Sequence, residues 1–471
     1  MKRLLITLGA LCVLALCVTG IILIVRFQLQ QAAVRRLIDA GPANLAREEA
    51  AARREGIPLT AQELQPPLPP ANQNAAPLYM KLTKLLHDKP LDLPKYAEGM
   101  DTTHSYTPAQ IAAVRRTLAA RQDVMTLVHQ AADKPQCVFV RDWNKGEDVQ
   151  SVEYRLMGYQ LMRESARLIE TESYVMARDG HYKAAVANQA RGFRVAEHAA
   201  SNSSLISYLV GIANESITLR GMQSILALAG PDTAIDADVQ RTVAAKQSRL
   251  SLRNAIAGEA GFDCRKFDAM RQAEKDGAEA ALAAGGFSQE ADVTAEVSAV
   301  QKQKLPALVD AWQADYLARV RPLIAASNQP PSVRRTACDA ANAQAERDKG
   351  KPDALINQLP DYIILTDFSK IYQNDTRIRA RVAVTLAAAA VLAEKAKTGA
   401  FPNTLPPTFI DPYTSKPLNY RREAANGGFV VYSAGPTGAF DGGKPGEKVP
   451  GQESVFRYPA VPVPIPADML K

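Results

Sequence analysis

Residues 152–180, VEYRLMGYQLMRESARLIETESYVMARDG, decide the fold class. Val152, Leu156, Tyr159, Met162, Ala166, Ile169, Ser173 and Met176 follow one another at steps of three and four. That spacing lines them along one face of an α-helix and predicts a partner helix to cover it. Gly180 stands where a helix C-cap places its glycine. A second helix is predicted over residues 182–200. A third, over 205–229, is opened by Asn202-Ser203-Ser204 and stopped by Gly230-Pro231. Leu205, Leu209, Ile212, Leu219, Met222 and Leu226 line one side of the third helix. Ile206, Val210, Ile217 and Ile225 are apolar as well, which predicts burial on more than one face. Gly180, Tyr182 and Ala185 match a tetratricopeptide hairpin, but a repeat period of about 34 residues lands on Asn214, Ser216 and Leu219, which do not match. The hairpin is read as an ordinary one.

Working outward, helices are predicted over 75–88, 108–132, 236–284, 305–326, 333–347 and 368–398. Thr107 and Pro108 start the second of these as N-cap and first helical residue. Gly285-Gly286 and Gly399 end the third and the last. Residues 134–148 break the pattern, and Cys137, Val138, Phe139 and Val140 read as a short strand or extended loop. Gln65-Pro66-Pro67-Leu68-Pro69-Pro70 is a stiff linker. Gly41-Pro42 predicts a helix stop, followed by a short helix over 44–55.

Residues 4–25, LLITLGALCVLALCVTGIILIV, carry no charge. As a helix this run spans ~33 Å, against a bilayer core of ~30 Å. It is longer than a cleaved signal's apolar stretch, and no Ala-x-Ala site follows. Cys12 and Cys17 follow leucines rather than the small residues of a lipoprotein signal. The run therefore reads as an uncleaved signal anchor in a bacterial inner membrane. Lys2 and Arg3 favour a cytoplasmic N-terminus and a periplasmic or otherwise extracytoplasmic bulk. The implied organisation is a cytoplasmic tail at 1–3, an anchor at 4–25, and a juxtamembrane helix with the proline linker at 26–73. An α-helical body follows at 74–350, then a long helix, a β module and an extended tail at 360–471.

The composition is 47% hydrophobic but only 6% aromatic, with a formal charge of +7. Alanine carries much of the hydrophobic share, which favours helix. The charge lies in scattered pairs such as Arg115-Arg116 and Arg334-Arg335. Clustered basic residues with interleaved aromatics, the mark of a nucleic-acid groove, are missing, so nucleic acid is excluded as a partner. Cys137, Cys264 and Cys338 lie outside the anchor. An oxidising compartment would allow one bond, Cys264 with Cys338 being one pairing, and the sequence leaves it open.

Chemistry-bearing motifs are few. Residues 438–444 have the letters of a phosphate loop, but Pro445 stands where Ser or Thr would hold magnesium. His87, His104, His129, His181 and His198 form no local ligand pair, and each reads as a surface or capping residue. Glu153, Glu164, Glu215, Glu259 and Asp263 are the acids of the helical body that a hydrolytic site would draw on.

The C-terminal stretch is different. Asp411-Pro412 and Lys416-Pro417 are turn signals. Residues 418–421 and 428–433 alternate as two strands of an antiparallel hairpin packed on the preceding long helix. The motifs Gly399-x-Phe401-Pro402, Leu405-Pro406, Asp411-Pro412-Tyr413, Pro417-Leu418-x-Tyr420 and Val431-Tyr432-Ser433-x-Gly435-x-x-Gly438 resemble the C-terminal head of the major pseudopilin of type II secretion systems. The resemblance covers about 75 residues, from about Ile371. It implies protein partners among secretion or pilus components. In those pseudopilins the loop after the last strand binds calcium through carboxylates, so the resemblance makes Asp441 and Glu447 candidate calcium ligands. Elsewhere, Asn74-Ala75-Ala76, Tyr79, Cys137, Phe139, Asp142-Trp143 and residues 205–212 look like features shared with membrane-anchored bacterial proteins of no assigned activity.

The expectation is a mainly α protein: a transmembrane helix, a body of helical hairpins and a small C-terminal β module. Its expected role is a non-enzymatic scaffold or assembly factor that binds protein partners outside the inner membrane. The alternative is an enzyme acting on an envelope polymer through carboxylates of the body. No catalytic or cofactor-binding residue is assigned.

Overall fold

A computed structural model describes residues 2–139, 149–246, 250–273, 280, 305–349, 368–423, 427–440, 442 and 454–470; the side chains of most residues before 35, and of 61, 149–157 and 246, are outside that description. The chain is mainly helical with a small antiparallel sheet near its C-terminus. In chain order the helices are α1 (Lys2–Arg54), α2 (Ala61–Leu64), α3 (Ala76–Asp88), α4 (Pro108–Ala120), α5 (Gln122–Ala132), α6 (Val149–Arg178), α7 (Tyr182–Ala199) and α8 (Leu205–Ala229). They continue with α9 (Thr233–Lys246), α10 (Leu252–Ala273), α11 (Leu305–Ala326), α12 (Pro331–Lys349) and α13 (Phe368–Thr398). The strands are β1 (His104–Ser105), β2 (Asn419–Glu423), β3 (Gly428–Tyr432), β4 (Val455–Tyr458) and β5 (Val463–Pro464).

Two compact units share these elements. Unit 1 comprises Met1–Leu64, Ala257–Ser327 and Val333–Phe368, and unit 2 comprises Gln65–Ile256, Asn328–Ser332 and Ser369–Lys471. The proline linker begins directly after the first segment of unit 1.

In unit 1, α1 packs along α11. The expected stop at Gly41-Pro42 is corrected: α1 runs through both residues, with Pro42 inside the helix. Proline there removes one helical hydrogen bond, and tertiary packing outweighs that local cost. A Cβ on Gly41 would stand 2.3 Å from the Ala307 carbonyl oxygen and 3.3 Å from the Ala311 Cβ, so the two helices touch at this glycine. Ion pairs fix the register further along. Arg321 of α11 bonds Glu48 at 2.6 Å and also pairs with Glu55. Trp312, Tyr316 and Phe267 fill the interior. The Tyr316 hydroxyl donates to the buried Asp263 carboxylate at 2.6 Å. Cys264 and Cys338 are buried and carry no disulfide. Gly41→Val is expected to cost this helix pair about 1–3 kcal/mol through overpacking. Amide exchange along residues 305–311 would rise accordingly, and unchanged exchange would refute the contact.

In unit 2, α6, α7 and α8 pack together. Their ends are set by local chemistry. After Arg178 the Gly180 amide donates to the Ala177 carbonyl at 3.0 Å and the His181 amide to Met176 at 2.9 Å, the Schellman pair of bonds. Ser204 and Ser207 form a capping box at the start of α8. Tyr159, Met162, Ala166, Ile169 and Ser173 are buried as predicted. The expected single helix at 108–132 is corrected to two, α4 and α5, which part at Arg121. Arg121 is 4% exposed and donates to the carbonyls of Lys89 and Pro90. A buried guanidinium needs those acceptors, and reaching them takes its backbone out of helical geometry. Likewise, α9 and α10 replace one expected helix beginning at 236. Residues 137–139 are extended rather than a strand, and the Asn74 amide brackets Val138 by bonding its N–H and its carbonyl, both at 2.9 Å.

The C-terminal module contains the expected hairpin, β2 against β3, with Tyr420 opposite Val431. It also contains a third strand in what reads as an extended tail: β4 pairs antiparallel with β3, and β5 pairs in parallel with β1. Phe429 at the centre of β3 is fully buried among Phe401, Tyr420, Phe456 and Tyr458, with ring centroids 5.2–6.1 Å away. Asp411 is buried and accepts hydrogen bonds from the Ser433 hydroxyl and the Ala434 amide, both at 2.8 Å. The module meets α13 where the Ser454 hydroxyl donates to the Arg377 carbonyl at 3.4 Å.

Candidate functional site

The site is built on a narrow polar stripe of α6. Between residues 158 and 171 only Gln160, Arg163, Glu164 and Arg167 are not buried. Their spacing of three, one and three places them on one helical face. All four line a cavity of about 460 Å³, within the usual range for small-molecule sites. Leu168 and Thr171 of α6 complete that wall.

The opposite wall is the irregular segment 91–98, which contributes Leu91, Leu93, Ala97 and Glu98. Pro90 and Pro94 interrupt any ladder here, and other contacts pin the segment at both ends. Arg121 holds the carbonyls of residues 89 and 90. At the other end the Thr171 hydroxyl donates to the Ala97 carbonyl at 2.7 Å and accepts from the Gly99 amide at 3.3 Å. Gly99 has φ +78°, and a Cβ there would lie 2.8 Å from Glu170 Oε2 and 2.9 Å from Arg220 Nη2. Both the left-handed conformation and the close approach call for glycine.

Charge of both signs faces the cavity. Arg167 lies 3.8 Å from Glu98, each about half exposed. Burial pushes the Glu164 carboxyl up, the Glu98 carboxylate adds to that, and Arg167 opposes it. Behind the wall sits a deeper ionic cluster. Arg220 of α8 bonds Glu170 in a fork, Nε to Oε1 and Nη2 to Oε2, both 2.7 Å, and lies 3.2 Å from Asp101. Glu170 is fully buried, and burial pushes its carboxyl up to about 7 even against the pull of Arg220. This cluster fixes the backbone at Gly99 and hence the mouth of the segment.

Of the acids singled out in the sequence, Glu164 alone is placed on the cavity. The Glu153 side chain lies outside the described residues. Glu215 is buried in α8, where burial and the nearby Asp375 push its carboxyl up to about 8. Asp263 is held in unit 1 by Tyr316 and Lys266. Of the histidines, His87 and His181 are exposed, and the surface assignment is corrected for His198. His198 is buried, 3.1 Å from the Tyr79 hydroxyl and 2.9 Å from the Lys134 carbonyl. His129 bonds Glu172 at 2.7 Å. Asp142, Trp143 and the calcium candidates Asp441 and Glu447 lie outside the described residues. Among the described residues no group of three or more His, Cys, Asp or Glu side chains is placed to hold a metal. The sequence reading missed Glu98, Arg163 and Arg167. The available signal was the spacing of Gln160, Arg163, Glu164 and Arg167 along one helical face, opposite the apolar stripe, although Ser165, Glu170 and Thr171 are polar and buried. Comparison with protein-family models, curated proteins and solved structures returns no match.

Proposed function

We propose that the chain is a cell-envelope protein, held in the bacterial inner membrane by residues 4–25 with its N-terminus in the cytoplasm. It works there as a scaffold or assembly factor that binds protein partners on the outer side. The first helix carries the reading. The apolar run heads one uninterrupted helix, Lys2–Arg54, whose later turns pack into unit 1. An anchor continuous with a packed helix fixes that unit at the membrane surface. Among the described residues no helix is long and apolar enough to cross a membrane, and residues 4–25 fall largely on side chains outside that description. The reading of this run therefore rests on its sequence, whose length and lack of charge support a span. The C-terminal module, with its likeness to a pseudopilin head, is the surface assigned to secretion or pilus components.

A second reading, an enzyme acting on an envelope polymer, draws on Glu164 and Glu98 at the cavity, one carboxyl raised by burial beside another. The two readings separate on purification. The tagged full-length chain, taken from detergent-solubilised membranes, is expected to retain specific envelope proteins, with loss of some on deletion of residues 399–471. Recovery of the chain alone contradicts the scaffold and favours the enzyme.

A further inference from the structure

We propose that the cavity between α6 and residues 91–98 binds a short zwitterionic peptide with a free ammonium, a free carboxylate and apolar side chains. The site belongs to unit 2 alone and does not depend on the scaffold reading or on how the chain is anchored.

Three observations carry it. First, every residue of α6 between 158 and 171 that is not buried faces the cavity: Gln160, Arg163, Glu164 and Arg167. A merely solvated face would not coincide with one concavity. Second, these groups are underused. Glu164 and Arg167 stand three apart and Gln160 and Glu164 four apart, spacings at which helical side chains commonly pair. Among the described residues the side chains of Gln160, Arg163 and Glu164 make no hydrogen bond, and Arg167 has only the 3.8 Å pair with Glu98. All four are exposed or half-buried, so water occupies them until a ligand of matching chemistry displaces it. Third, the signs are balanced. A purely anionic ligand would satisfy Arg163 and Arg167 but face Glu98 and Glu164, and a cation would meet the reverse. A zwitterion satisfies both pairs.

Size and preorganisation agree. About 460 Å³ is the share of about fifteen waters, room for a dipeptide or tripeptide. Leu91, Leu93 and Leu168 offer apolar contact to its side chains. Thr171 and Arg121 already hold the walls in place, so little ordering remains to oppose binding.

The test is isothermal titration of the full-length chain in detergent micelles with L-leucyl-L-leucine, compared with its N-acetyl, C-amide and doubly blocked forms. Saturable binding of the free dipeptide is expected, weakened at least tenfold by either single block. In Arg163→Gln/Arg167→Gln, the free and amidated peptides should bind alike. In Glu98→Gln/Glu164→Gln, the free and acetylated peptides should bind alike. No saturable heat with the free dipeptide overturns the proposal. So does equal binding of the doubly blocked peptide to the unaltered protein, a comparison that requires no variant to fold.

Discussion

Replacing Arg220 by Met is expected to be among the most damaging single changes in unit 2, costing about 3–5 kcal/mol at pH 8. Glu170 has no exposed surface and receives both of its short bonds from this guanidinium. Without it, a buried carboxylate faces Asp101 with its forked partner gone. The loss should shrink on acidification, because burial already pushes Glu170 up to about 7 and removal of Arg220 pushes it further, so the group takes up a proton. Glu170→Gln in the Arg220→Met background should restore most of the stability at pH 8. Urea unfolding of these two variants and the unaltered chain at pH 5 and pH 8 reads all of this. Equal stability of Arg220→Met and the unaltered chain at pH 8 would show that the pair holds nothing together.

The second large effect is on pH dependence. Burial and Asp375 raise Glu215 from 4.5 to about 8, with Arg379 opposing and Glu197 adding to the rise. An acid raised on folding keeps its proton in the native state while the unfolded chain has released it. Stability therefore falls as pH climbs from about 4.5 to about 8. Asp236 and Glu170, both raised to about 7, fall in the same direction over the lower part of that window. Glu215→Gln keeps the shape of the protonated acid and cannot ionise. It is expected to be near neutral at pH 5 and stabilising at pH 8 by on the order of 3 kcal/mol. Unfolding free energies that run parallel for the two proteins from pH 5 to 8 would contradict the burial of this charge.

What could be read from the sequence was local. The ends of α6, α8 and α13 follow from Gly180, Ser204, Gly230 and Gly399, because caps are set by a few neighbouring residues. What escaped was non-local. The break at Arg121 exists because its guanidinium finds carbonyls 31 and 32 residues earlier in the chain. α1 continues through Pro42 because of packing against residues 307–311, which nothing near Pro42 announces. The third strand, Val455–Tyr458, is only four residues long and is defined by its partner β3. The cavity divides the same way. Glu164 was visible as an acid of the helical body, but Glu98 sits on an irregular segment whose course depends on Arg121, Thr171 and Gly99. The two walls are joined by contacts distant in the chain, the Thr171 bonds and the Arg167–Glu98 pair among them.

The most direct test of the scaffold reading is cross-linking of intact cells, outer membrane permeabilised, with an amine reagent that does not cross the inner membrane. Mass spectrometry of the conjugates is expected to find lysines beyond residue 70 joined to envelope proteins, secretion or pilus components among them. Absence of conjugates, with the same reagent labelling other periplasmic proteins in the same cells, would contradict both the outward placement of the two units and their role as a scaffold.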